Sequence, residues 1–331
     1  MFTLTLQEKK YIELIKKITE QGNIDNISRT VFYDDFYLRN KEIIWAYLAS
    51  IVSRNAGWNM TDLESEVFRE LIPQDYREIL YLTYERANWL IFLDAFPQLC
   101  LYEISKNAGK PLFHLLKFFH VSKFMEEKWQ EFWVHKDINR LCTALIINEQ
   151  HVIQKPVIDD PFYSDKVFRS LPYVIEDKLH FSTVFFPTLK GKLYGYSVHG
   201  FTKVRNRIEL GKRLAWLLFH PQYRQEIRKF ASKVKHTGSR YDYERYVKKI
   251  KRKRTPTLRS TYPVIAHHRS NLSDWYSEKQ QKKIEQYFLP PKVIRKVDLT
   301  DWYYKKQQQL ELAAKIEHVL LQLLKRKADT R

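Results

Sequence analysis

Ten consecutive residues, Ser53-Arg54-Asn55-Ala56-Gly57-Trp58-Asn59-Met60-Thr61-Asp62, set an arginine, two asparagines and an aspartate after an apolar run. A guanidinium beside amides and a carboxylate can bind and orient a polar substrate, which makes Arg54, Asn55 and Asp62 candidate catalytic residues. The same stretch also reads as a joint between two helices. Gly57 would take the left-handed position after the first, Arg54 would answer its last carbonyls, and Thr61-x-x-Glu64 would open the next as a capping box. A second group, Gly238-Ser239-Arg240-Tyr241-Asp242-Tyr243-Glu244, contributes Arg240, Asp242 and Glu244. These would complete an Arg/Asn/Asp cleft wherever the fold brings the two segments together.

A third group carries charge rather than catalysis. Lys248-Lys249-Ile250-Lys251-Arg252-Lys253-Arg254 holds six basic residues in seven. Crowded cations repel one another and are best tolerated against a dense anion that releases counterions to them. Tyr241, Tyr243 and Tyr246 stand just upstream, and tyrosine faces stack on bases. The helix expected over 203–218 extends this patch with Arg205, Lys212 and Arg213, opposite a stripe of Val204, Ile208, Gly211, Ala215 and Leu218. The i,i+4 pairs Arg205–Glu209 and Glu209–Arg213 would also suit an ordinary ion-paired surface.

Other chemistry finds little support. The chain has no P-loop, dinucleotide fingerprint, nucleophile elbow or His-Glu-x-x-His, so no cofactor is expected. His267-His268 is an adjacent pair whose side chains diverge on helix or strand, so no metal site is expected. Glu176-Asp177-Lys178 resembles the acidic and lysine positions of a metal-dependent nuclease, but Glu126-Glu127-Lys128 repeats that short pattern on a predicted helix. Cys100 and Cys142 are too few for a disulfide framework or a zinc quartet and read as free thiols.

The elements that must position these residues are mainly helical. Among 331 residues only eight are glycine while 49 are aromatic (8 Trp, 21 Tyr, 20 Phe), which disfavours turn-dense all-β folds and glycine-rich phosphate loops. Tyr11, Ile12, Ile15 and Ile18 mark an opening helix ended by Gly22; Ser28 is the expected N-cap of a second. Residues 41–54 are apolar almost all round and predict a central helix. Pro73 opens a long helix, and others are expected near 96–106, 122–134 and 137–150. The stretch 155–200 is irregular, with an expected hairpin from Phe181–Phe186 around Lys190-Gly191-Lys192. Helices resume at 201–219 and 222–235. Beyond a basic loop, 236–272, an amphipathic helix over 301–327 carries Leu312, Ile316, Val319, Leu320, Leu323 and Leu324 on one face.

The net charge of +19 is unevenly placed. Residues 1–200 hold 24 Lys and Arg against 26 Asp and Glu, whereas residues 201–331 hold 33 against 12. A near-neutral helical body of 1–200 and a strongly basic region of 201–331 are therefore expected, with a soft boundary. Such asymmetry points to a polyanionic partner: nucleic acid, an anionic membrane surface or an acidic protein. The longest uncharged apolar run, Ile43 to Ser53, is 11 residues, well short of the roughly 20 that a transmembrane helix needs. The opening residues lack the basic and apolar regions of a secretory signal, so a cytoplasmic location is expected.

Three segments carry a resemblance: Asn26-Ile27-Ser28-Arg29-Thr30-x-x-Tyr33, Ser53 to Asp62, and Gly238 to Glu244. Over roughly residues 25–250 the chain resembles the YppC-like proteins of Bacillus-type Firmicutes. The resemblance implies a bacterial cytoplasmic setting and directs attention to Arg29, Arg54, Asn55, Asp62, Arg240, Asp242 and Glu244, without implying an activity. The leading expectation is a mainly helical protein whose basic C-terminal region binds DNA or RNA. An enzyme built on the 54–62 and 240–244 cleft, and an adaptor for membranes or acidic proteins, remain the alternatives.

Overall fold

A computed structural model describes residues 4–168, 183–197, 200–248, 255–269, 273–293 and 296–329, with side chains in the last helix described as far as Ile316. The fold is mainly helical. Thr5 and Glu8 form a capping box at the start of α1 (Leu6–Gly22), whose Ile12 and Ile15 face inward. Helix α2 (Asn26–Arg39) is capped by Asp25, whose carboxylate accepts the Ser28 amide at 2.7 Å. The expected cap at Ser28 therefore lies three residues too late.

Helix α3 (Ile44–Asp62) is buried on nearly every side and packs against α2 along its length. It corrects the joint expected at Ser53–Asp62, because one helix runs straight through Gly57. A buried backbone needs internal hydrogen-bond partners, and continued helix supplies them. Gly57 is present for a close approach, since a Cβ there would lie 3.1 Å from the His236 ring. Thr61 caps nothing; its hydroxyl donates to the Gly238 carbonyl at 2.5 Å. After α4 (Glu66–Leu71), helix α5 (Gln74–Ala108) runs 35 residues, about 52 Å at 1.5 Å per residue. It contains the segment expected as a separate helix at 96–106. Pro97 costs it one backbone bond, and the buried Phe92, Phe96 and Leu99 hold it in place. Helices α6 (Lys123–His135) and α7 (Ile138–Val152) complete the first part.

The expected hairpin is present as antiparallel β1 (Thr183–Pro187) and β2 (Leu193–Ser197), with Phe185 paired to Gly195 and Pro187 to Leu193. Two strands alone are marginal. This pair is held by the buried Phe185 and Phe186, and by Val297 and Leu299, which exchange backbone bonds with Gly195 and Leu193 at 2.9 and 2.8 Å. Then follow α8 (Val204–Phe219), α9 (Pro221–Lys233), the short α10 (Tyr241–Glu244) and α11 (Leu258–Thr261), and finally α12 (Thr300–Asp329). Short helical turns also occur at Pro161–Tyr163 and Gln281–Glu285.

The largest apolar core among the described residues draws on segments from Ile12 to Val297 and includes Ile208, Leu214 and Leu217 of α8. A second core surrounds Trp58, with Phe185, Phe230, Val234, Tyr243 and Tyr303. Among the described side chains of the last helix, Tyr303, Leu310 and Ala314 are buried, while Leu312 and Ile316 of the apolar stripe face outward; Val319, Leu320, Leu323 and Leu324 lie outside the described side chains. Among the described residues no helix is long and apolar enough to cross a membrane.

Candidate functional site

The two polar segments flagged in the sequence meet at the end of α3. Arg54 is 4% exposed, and its guanidinium donates to the carbonyls of Ala231, at 3.0 Å, and Val234 at the C-terminal end of α9. That position answers the orphan carbonyls and the negative pole of α9 together. The guanidinium also lies over Trp58 and Phe230, 5.6 and 5.2 Å from their ring centres, and burial lowers its pKa to about 10. Asn55 fastens the hairpin, with its Oδ1 accepting the Phe185 amide at 2.8 Å.

Around Trp58 the network continues. Its indole donates to Asp242 at 3.0 Å, and the Thr237 amide and hydroxyl donate to the same carboxylate at 2.9 and 2.7 Å. Burial pushes Asp242 up, but the bonds from His236, Thr237 and Trp58 outweigh it and hold the group below its ordinary value. His236, 3.5 Å from Asp242, is pushed down to about 4 by burial and is neutral near pH 7. Arg240 sits between two carboxylates, 2.9 Å from Asp62 and 3.0 Å from Glu244. Glu244 also accepts the Tyr303 hydroxyl at 2.6 Å, which ties α12 to the cluster. One guanidinium shared by two buried acids favours ionising one of them. Burial raises Asp62 to about 6 despite Arg240, while the two acids together hold Arg240 firmly charged.

Arg54, Asn55, Asp62, Arg240, Asp242 and Glu244 are thus all brought to one junction, all buried, and each bonded to protein. The arrangement locks α3, α9, α10, the hairpin and α12 together. Arg29 centres a second buried network. It binds Glu85 through both carboxylate oxygens at 2.5 and 2.9 Å, and also Asn23 and Asn26 at 2.7 Å each. Burial raises Glu85, but Arg29 outweighs it and keeps the acid below its ordinary value; His267 lies 3.7 Å away. Sequence reading missed Glu85, whose only signal is a charge within the buried stripe of α5.

The basic candidates separate. Arg205 and Lys248 are exposed. Lys212 is 7% exposed and pairs with Glu209 at 3.4 Å, so it belongs to the buried side of α8 and not to the outer face expected for it. Arg213 is half-buried, 3.5 Å from the same glutamate. Lys249, Lys251, Arg252, Lys253 and Arg254 lie outside the described residues, as does Glu176-Asp177-Lys178. Sequence reading missed the outer side of α9 and the residues after it, where Arg224, Arg228, Lys229, Lys233, Lys235 and Arg245 are exposed. Among the described residues no group of three or more His, Cys, Asp or Glu side chains is placed to hold a metal ion.

The chain matches a known family. A family described as a protein of unknown function, DUF2515, matches residues 21–303. The chain is 46% identical over 291 residues to the uncharacterized protein YppC of Bacillus subtilis (strain 168), covering 88% of this chain and 91% of that one. No solved structure matches the chain.

Proposed function

The chain belongs to the DUF2515 family of proteins of unknown function, and from that premise we propose a cytoplasmic protein that binds nucleic acid through its basic C-terminal region. The observation that carries the reading is the direction of the charges in residues 221–248. That segment has eight Lys and Arg and three Asp and Glu. Two of the acids, Asp242 and Glu244, are consumed in the buried junction together with Arg240. Outside remain seven exposed cations and Glu226, which is paired with Lys229 at 3.2 Å. The charge pairing that makes most protein surfaces neutral is thus turned inward here, and the outer surface is left cationic. The run Lys248–Arg254 continues directly from it in the chain. On this reading Arg54, Asn55, Asp62, Arg240, Asp242 and Glu244 are the frame that holds the cationic surface, and they are not catalytic groups. The free thiols Cys100 and Cys142 accord with a reducing compartment.

The test is fluorescence anisotropy with labelled single- and double-stranded DNA and RNA. A surface making six to ten phosphate contacts loses roughly 10³–10⁵ in affinity between about 50 and 200 mM salt. One variant replaces Arg224, Lys233, Lys235, Arg245 and Lys248 by Gln; a second replaces the basic residues of 248–254. Each is expected to weaken binding and flatten the salt dependence. Absence of binding at the lowest salt, or affinity indifferent to both variants, rejects the reading. Tighter binding to anionic vesicles than to oligonucleotides would reassign the surface to membranes.

A further inference from the structure

Between α2, α3, α5, α7 and α8 lies a cavity of about 170 Å³ that the basic surface does not use. Its wall is mainly apolar, with Leu48, Val52, Ile91, Ile153 and Leu214 among the lining residues. Most of its polar lining is already bonded. Arg29 is held by Glu85, Asn23 and Asn26; Arg207 is held by Gln150, Gln154 and the Phe201 and Thr202 carbonyls; Asn55 is held by the hairpin.

Two lining groups are different. Tyr33 is 3% exposed, and its hydroxyl has no hydrogen-bond partner among the described residues. Such a buried, unmade bond ordinarily costs about 1–3 kcal/mol, so its persistence calls for an explanation. The Glu149 carboxylate accepts the Trp45 indole at 3.1 Å and the Gln150 amide at 3.0 Å, and no cation among the described residues pairs with it. Burial raises Glu149 to about 7, and the bonds from Gln150 and Trp45 offset it only in part. Both groups line this one cavity, and burial, with a smaller contribution from the charge of Glu149, pushes the Tyr33 phenol up.

We propose that this cavity binds a small primary amine with an aromatic or branched aliphatic body, its ammonium held between the Glu149 carboxylate and the Tyr33 hydroxyl. Size and chemistry both select this class. An apolar cavity of about 150 Å³ accommodates benzene, so the space here takes one ring and a short amine arm. An ammonium supplies donors for the unused lone pairs of Glu149 and Tyr33 and the counter-charge that Glu149 lacks. An alcohol would leave Glu149 without a counter-charge.

The probes are benzylamine, benzyl alcohol and toluene, titrated into the full chain by calorimetry at pH ~8, where Glu149 is ionised. Benzylamine is expected to bind more tightly than either comparator. Glu149→Gln, nearly the same shape, should weaken benzylamine about tenfold or more and leave toluene unchanged. Tyr33→Phe should weaken benzylamine and benzyl alcohol but not toluene. Ala49→Leu, which narrows the cavity, should weaken all three, with circular dichroism checking the fold. The inference is overturned if benzylamine binds no tighter than toluene, if Glu149→Gln leaves its affinity intact, or if none of the three probes binds. Binding undiminished by Ala49→Leu would likewise place the ligand elsewhere. Loss of oligonucleotide binding is no outcome of these variants, so this inference and the nucleic-acid reading stand or fall apart.

Discussion

Arg240 holds two acids, and the consequences of removing each partner differ. Replacing Arg240 by Met leaves Asp62 and Glu244 buried without a counter-charge, an arrangement that costs about 3–5 kcal/mol. Asp62→Asn keeps an oxygen for Arg240 while relieving the rivalry between the acids, so the expected loss is below about 1 kcal/mol. Urea unfolding of the two variants checks this, and equal losses would mean that the charge of Asp62 matters to the cluster as much as that of Arg240. Glu149 gives a pH prediction whose sign is fixed. Its folded pKa of about 7 exceeds the ordinary 4.5, so the folded state binds the proton more tightly and stability is lost as pH rises from 4.5 towards 7. His236 and His151, both lowered to about 4 by burial, act in the opposite sense, with stability lost as pH falls from 6.5 towards 4. The clean observable is therefore the difference from Glu149→Gln. That variant should match the wild type in pH sensitivity below pH ~4.5 and gain about 3 kcal/mol relative to it by pH ~8. A pH-independent difference would show that Glu149 ionises as freely as an exposed carboxylate.

Elements here are fixed by what crosses between them. The start of α12 docks through Tyr303, whose hydroxyl donates to Glu244 and meets the Tyr243 hydroxyl at 3.1 Å. Tyr303→Phe should cost about 1–2 kcal/mol. Hydrogen exchange should quicken first in α10 and the opening turns of α12, because their shared bond is the one removed; uniform quickening would argue against a local dock. Much of this architecture was legible in the sequence, since apolar spacing marked α1, α3, α5 and α8, and the glycine turn marked the hairpin. The course of α3 beyond Ser53 was not. Gly57 and Thr61 are good local stop and start signals, yet here Gly57 admits His236 and Thr61 bonds Gly238. Both partners lie some 180 residues away in the chain, and local rules contain no information about them. At the start of α12 the same holds: Leu312 and Ile316 belong to the most apolar stripe, but the neighbours offered by α4 and α10 select Tyr303 and Leu310. The candidate residues 54–62 and 240–244 were legible as a set. Their closed pairing was not, because apart from Arg240–Glu244 the bonds run between segments, from Arg240 to Asp62, from Trp58 to Asp242 and from Arg54 to the end of α9.

Across the whole molecule, charge is divided more sharply than the fold. One apolar core contains residues from Ile12 to Val297, whereas the balance is 24 cations to 26 acids before residue 201 and 33 to 12 after it. The basic region therefore repels itself while being packed onto a nearly neutral body. Two of its twelve acids, Asp242 and Glu244, are buried in the junction and relieve little of the repulsion at the surface. Exposed like charges are screened over about 10 Å at 0.1 M salt and about 30 Å at 0.01 M. Raising sodium chloride across that range should consequently raise the thermal midpoint, and an oligonucleotide should raise it further at the low end by occupying the folded state. Replacing Arg224, Lys233, Lys235, Arg245 and Lys248 by Gln should raise the midpoint at low salt, shrink its salt dependence and remove most of the oligonucleotide effect together. A surface whose cations serve only solubility would lose the salt dependence but would show no oligonucleotide effect in either protein. Thermal melts of the two proteins at the two salt concentrations, with and without oligonucleotide, separate charge that merely repels from charge that waits for an anion.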